Sequence, residues 1–298
     1  MRALAIPIAL AALLIGGCGA SKEPATPQDA ILRLDSQAAS SALELERSEE
    51  AIEQYRRAFE RAIARDDAGD IGDYGYDLAV AQLGANQPRP ALASVRRTQT
   101  ELARRGSPSF PALDLAEATA DYRIGEKETS DRMARKAEAG NDAAASARAA
   151  FLRGLIADDL DDAAGLDRAI ARLSSPTSVD QQADAAELSA RREIRQGAFS
   201  DARTEAERAA DLRRDILDYR DMARALSVAA YAEQRAGDPE AASALYIRAG
   251  QSAAALGDAA SARAWLGRAM ELAKDPALRD TARLALGSLK TAQRPADH

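Results

Sequence analysis

A chain of 298 residues with a net charge of −7, 29% charged residues and only 4% aromatics is long enough for two ordinary domains or one elongated one. So few large side chains suit thin layers of helices packed through alanine better than one thick core. The acidic balance argues against nucleic-acid binding, which needs a basic surface. One histidine and one cysteine exclude His-based triads, HExxH zinc sites and any internal disulfide.

The chain begins MRALAIPIALAALLIGGC. Arg2 and the amino terminus give a positive start, Ala3 to Ile15 is an apolar run broken only by Pro7, and small residues follow. That order predicts a secretory signal, because a bilayer span takes roughly 20 apolar residues. Ile15, Gly16, Gly17 and Cys18 resemble a bacterial lipobox, with Ile15 in place of the commoner Leu. The resemblance implies that residues 1–17 are a lipoprotein signal peptide and that the Cys18 thiol becomes the acylated N-terminus. Each buried methylene contributes roughly 0.8 kcal/mol, so one acyl chain binds marginally and two or more anchor stably. Gly19 stands where an Asp tends to retain such proteins in the inner membrane, which implies the periplasmic face of the outer membrane. The alternative is an ordinary cleaved signal in which Cys18 is incidental. Residues 18–28, CGASKEPATPQ, have almost nothing to bury and read as a flexible tether.

From residue 29 to 290 the apolar spacing is i, i+3, i+4 throughout, with strand alternation nearly absent. The clearest unit is Ser48 to Asp67, where Ala51, Tyr55 and Ala58 fall on one helical face. Ala242, Tyr246 and Ala249 repeat that figure. Weaker copies are Ala91/Val95/Thr98, Ser130/Ala134/Ala137, Leu166/Ile170/Leu173 and Ala202/Ala206/Ala209. Two alanines allow a neighbouring helix to come close while the larger residue fills the space beside them. This closely resembles the second helix of a tetratricopeptide repeat. Turn residues between paired helices fall at Glu46, Asn86, Gly125, Asp161, Gly197 and Gly237, with a seventh near Lys274. Their spacing slightly exceeds the standard 34 residues. Pro108, Pro111 and Pro176 fall between pairs, and Ala64 to Gly75 reads as a longer inter-repeat loop. The family's Trp in the first helix is missing. The expected fold is all-α, an α-solenoid of tetratricopeptide-like helix pairs over residues 29–290, with a disordered tail at 291–298.

No GxSxG, P-loop, GxGxxG or SxxK occurs. The acidic clusters Ala157–Asp162 and Asp66, Asp67, Asp70 and Asp73 read as helix caps and solvated turns, without EF-hand spacing. The glutamates all read as exposed helix positions. No catalytic residue, metal site or cofactor is therefore expected. Stacked first helices of a solenoid line a concave groove. In the register above, that groove takes in Tyr76, Val80, Leu83, Leu115, Thr119, Tyr122, Phe151, Leu155, Arg191 and Tyr231, with Arg148 and Asp158 as rim charges. The same residues would serve equally as core between helices if the register shifts by one or two positions.

These features point to a non-catalytic, membrane-tethered scaffold that binds envelope proteins or peptides, with the membrane reached through the lipid and no nucleic acid. The alternatives are a helical ligand carrier, which thin alanine layers leave little volume for, and a cell-wall glycan hydrolase working through two carboxylates.

Overall fold

Fourteen helices pair into seven hairpins in a computed structural model that describes residues 29–45 and 47–292. The pairs are α1 (Ala30–Glu44) with α2 (Ser48–Ala64), α3 (Ala68–Gly84) with α4 (Pro88–Arg104), and α5 (Pro111–Ile124) with α6 (Lys127–Glu138). Then come α7 (Ala143–Asp159) with α8 (Ala163–Arg172), α9 (Val179–Gln196) with α10 (Phe199–Asp215), α11 (Tyr219–Ala236) with α12 (Pro239–Ala255), and α13 (Ala259–Leu272) with α14 (Pro276–Ala292). The described part of the chain is an α-solenoid of tetratricopeptide-like helix pairs. Ile15, Gly16, Gly17, Cys18, the tether, Glu46 and residues 293–298 lie outside the described residues. The last helix runs on to Ala292, two residues into the segment expected as tail.

The chemistry of the helix ends accounts for much of the acidic loop composition. Asp29, Asp67, Asp142, Asp162, Asp218, Asp238 and Asp258 each accept a first-turn backbone N–H with the side chain, satisfying donors that the helix leaves orphaned. The turns inside the pairs need one left-handed residue, and Asn86, Gly125, Asp161, Gly197 and Gly237 all have positive φ. These are five of the turn positions expected from the sequence. One expectation fails here. Ala68 to Gly75 is helix, not loop, because Asp67 caps it through the Asp70 N–H at 3.1 Å. The glycines that suggested a loop are contact positions: a Cβ on Gly75 would stand 2.1 Å from Thr98 Oγ1 and 2.9 Å from the Phe59 ring.

The even-numbered helices carry the repeated small-residue figure, and it faces inward between layers. All its members are buried except Ile170, which is partly covered. The odd-numbered helices touch one another in turn from α3 to α11 and so line the inner side of the curve. The curve is tight enough for distant repeats to meet. Arg220, at the start of α11, donates to the Gly84 carbonyl at 2.9 Å and to Asn86 Oδ1 at 3.4 Å. It also pairs with Asp258, the cap of α13, at 3.6 Å. Asn86 in turn donates to Asp258 at 3.5 Å. The solenoid is thus a closed ring, latched between its second repeat and its last two.

Two glycine substitutions should separate contact from propensity. Gly75→Ala should destabilise the chain by about 1–2 kcal/mol, since overpacking of about 1–3 kcal/mol exceeds a helix-propensity gain of about 1. Gly267, with nothing within 4 Å of a built Cβ, should gain about 0.5–1 kcal/mol on conversion to Ala. Urea unfolding of both variants checks the pair, and equal signs would contradict this packing.

Candidate functional site: an arginine-lined channel inside the ring

The inner wall is organised around Phe151 on α7, which is 1% exposed. Three guanidinium groups surround its ring: Arg148 at 4.7 Å, Arg224 at 5.1 Å and Arg213 at 5.9 Å from the centroid. Cations favour the negative face of an aromatic ring, most of all where water is excluded. Each cation also needs a counter-charge, and α9 and α11 supply it. Arg148 donates to Asp184 at 2.6 Å and pairs with Asp221. Arg213, fully buried, pairs with Asp180 and Asp184 and lies 3.2 Å from Asp218. Arg224 grips Glu187 with two hydrogen bonds of 2.8 and 2.9 Å and pairs with Asp221. Arg191 continues the chain, donating to Asp158 at 2.9 Å and to Glu187 at 3.0 Å.

The protonation of this network follows from its geometry. Burial pushes Glu187 and Asp221 up, but the arginines around each outweigh it and hold both below the usual carboxylate range. Burial wins at Asp184, pushed up to about 7 against Arg148 and Arg213. There one oxygen serves both arginines while the other is buried without a partner. Asp184 lies behind the wall and reaches neither cavity of the channel. The expectation that every glutamate is exposed does not hold. Glu187 is fully buried and Glu117 nearly so, each paired with an arginine on another helix: Glu187 with Arg224, Glu117 with Arg96.

Two cavities share the inner wall and meet at Trp265, the chain's only tryptophan. The larger, about 1040 Å³, runs from the α7–α8 turn past α9 and α11 to α13. The smaller, about 430 Å³, lies under the latch among α5, α7, α11 and α13. Thin alanine layers suggested little volume, but the space belongs to the hollow of the ring and not to the core.

Most of the residues expected to face a groove border these cavities. Leu115, Thr119, Tyr122, Phe151 and Leu155 line the smaller one, with Phe151 and Leu155 as its buried floor. Arg191 and Tyr231 line the larger one. Tyr122 donates to Asp159 at 3.2 Å, and burial, with that carboxylate, pushes its hydroxyl up to about 12. Tyr76, Val80 and Leu83 border neither cavity. Tyr76 packs edge-on against Phe110 at 6.0 Å, Val80 is exposed, and Leu83 is core. Arg148 borders the smaller cavity and Asp158 the larger, and each is also tied into the ion-pair network. Sequence reasoning missed Arg123, Arg192, Arg220, Arg224, Arg235 and Trp265. The closely spaced arginines Arg191/Arg192/Arg195 and Arg220/Arg224 carried a one-face signal, but nothing local marks Arg123 or Trp265.

No family model matches the chain, and no curated protein matches it. Among solved structures it is similar to a tetratricopeptide repeat protein from Parabacteroides merdae, with 14% identity and a TM-score of 0.51 over 86% of this chain and 99% of that one. It is also similar to the apo form of the quorum sensor NprR from B. thuringiensis, with 10% identity and a TM-score of 0.55 over 89% of this chain and 71% of that one. At these identities the likeness is one of fold.

Arg213→Leu should cost about 3 kcal/mol, because it removes a buried partner of Asp184, which is closed to water. Urea unfolding followed by Trp265 emission measures it. Arg220→Ala should cost under about 1 kcal/mol, as the latch is partly solvated, yet it should lengthen the particle in small-angle scattering. An unchanged maximum dimension would mean that the ring does not depend on this latch.

Proposed function

We propose that the chain is a non-catalytic scaffold, tethered to the membrane through acylated Cys18 at the periplasmic face of the outer membrane, that holds an envelope protein or peptide in its channel. The observation that carries this reading is the pair of joined cavities on the inner wall, edged by Tyr122, Tyr231, Trp265 and arginines. Interface hot spots favour these residue types, and a solenoid's concave side suits an extended segment or a helix. The likeness in fold to a tetratricopeptide repeat protein is compatible with it. The lipobox at Ile15–Cys18 supports the tether.

The hydrolase reading finds little support. A general acid must reach its substrate with a raised pKa, whereas Asp184 is sealed behind the wall and Glu187 is held down by arginines. A small-molecule carrier would favour an enclosed apolar pocket, and this channel is open and charged.

A photo-crosslinking residue placed at Tyr231, on the channel, and at Glu128, exposed on α6, tests the reading in intact cells. Crosslinks to a small set of envelope proteins are expected from position 231 alone, and a Cys18→Ala chain should lose its membrane fraction. The same products from both positions, or none from 231, would remove the channel as the binding face. A Cys18→Ala chain that stays with the membrane would remove the lipid tether.

A further inference from the structure

The charge of the channel runs against the charge of the protein. The larger cavity is lined by five arginines and three aspartates, the smaller by four arginines and two aspartates, and neither contains a lysine or glutamate. The chain as a whole carries −7, so the remainder of the molecule is more acidic still. Such a distribution makes the channel a more favourable place for an acidic molecule than the exterior taken as a whole.

Among the described residues, three of these arginines have no carboxylate within pairing distance. Arg192 has its Nε buried without a hydrogen-bond partner. Arg235 lies over the rings of Phe199 at 5.3 Å and Tyr231 at 5.8 Å, and donates to the Tyr231 hydroxyl at 3.1 Å. Arg123 donates to the Leu83 carbonyl at 2.6 Å. Although it meets channel water, Arg123 is hemmed in by protein, and burial with the nearby charges of Arg220, Arg224 and Arg148 pulls it down to about 10. The paired arginines around Phe151 are neutralised by the fold itself. These three are not, and they stand on three different helices facing the two joined cavities.

Resting on the reading of the channel as a binding face, we propose that its occupant is an acidic peptide segment. Its side-chain carboxylates meet Arg192 and Arg235 in the larger cavity and Arg123 in the smaller. An apolar side chain between them packs against Trp265, where the cavities join. Guanidinium groups suit carboxylates because their planar N–H groups donate to both oxygens at once. The two cavities call for an extended ligand, not a single small anion. A nucleic acid fits poorly, because a long polyanion would lie along the acidic exterior as well as in the channel.

The test is a selection on the full chain in detergent from random octapeptides capped at both ends, so that only side-chain carboxylates count. Binders are then titrated by Trp265 fluorescence. Enrichment of Asp and Glu around one apolar residue is expected. Replacing Glu by Gln in a selected peptide should raise Kd at least tenfold, as should the Arg192→Gln/Arg235→Gln double variant with its urea midpoint retained. Neutral or basic winners, or acidic winners indifferent to the double variant, would overturn the acidic occupant while leaving the channel as a binding face. No enrichment, with crosslinking still seen at position 231, would overturn it too. The absence of both would sink the channel reading itself. Binding of heparin with no peptide enriched would replace the proposal with a polyanion site.

Discussion

Arg213 places a full positive charge where water cannot reach it, and much of the C-terminal half is arranged to neutralise it. An unpaired ion in such a place costs several kcal/mol, so carboxylates must approach from more than one side. They come from α9, from the α10–α11 turn and from α11. Arg148 shares Asp184 and Asp221 with Arg213, Arg224 shares Asp221, and all three lie over the same aromatic ring, which brings α7 into the arrangement. A buried network of this kind contributes less to net stability than to geometry. Sliding α9 one turn along its neighbours would strand Arg213, Asp184 and Glu187 together. The angle between successive pairs is therefore held by charge on the inner wall, in a protein whose layers are otherwise packed by small side chains.

Those small side chains set the complementary condition. Alanines at the contact faces of α2, α4, α6, α10 and α12 let each of these helices lie close against the odd-numbered helices beside it, while the odd-numbered helices also touch one another from α3 to α11, as the inner side of a curve requires. The wall that carries Phe151, Tyr122 and Trp265 is thus left with space in front of it. Volume that a thin alanine core does not provide is created by curvature.

The fold was legible because its signals are local. The figure at Ala51/Tyr55/Ala58 recurs within single helices, and Asn86, Gly125 and Gly237 mark turns through the backbone conformation they alone adopt without cost or with little. The loop expected at Ala64–Gly75 shows the limit of composition: Gly75 is there for the close approach of Thr98 and Phe59, which lie on other helices. The channel was half legible. Tyr122 and Tyr231 follow from helical register, since odd helices present one face inward. The ion pairs of Arg148 were not legible, because its partners, Asp184 and Asp221, lie 36 and 73 residues away. No periodicity reports a contact between Asn86 and Asp258, separated by 172 residues.

That last contact differs in kind from the rest. A solenoid's stability is the sum of its repeats and the interfaces between neighbours, and the buried network is one of those neighbour terms. The latch of Arg220, Asn86, Gly84 and Asp258 is the contact that joins repeats far apart, and it is built from polar groups at the edge of the channel. Partly solvated pairs of this sort contribute on the order of 1 kcal/mol or less, far below the cost of separating the Arg213 network. The ring consequently has one weak seam and many strong joints. A segment threaded through a closed ring would need a free end, whereas an opened seam would admit an internal stretch of chain from the side. Because Arg220 and Asp258 border the smaller cavity themselves, whatever enters there competes for the same charges that keep the ring shut.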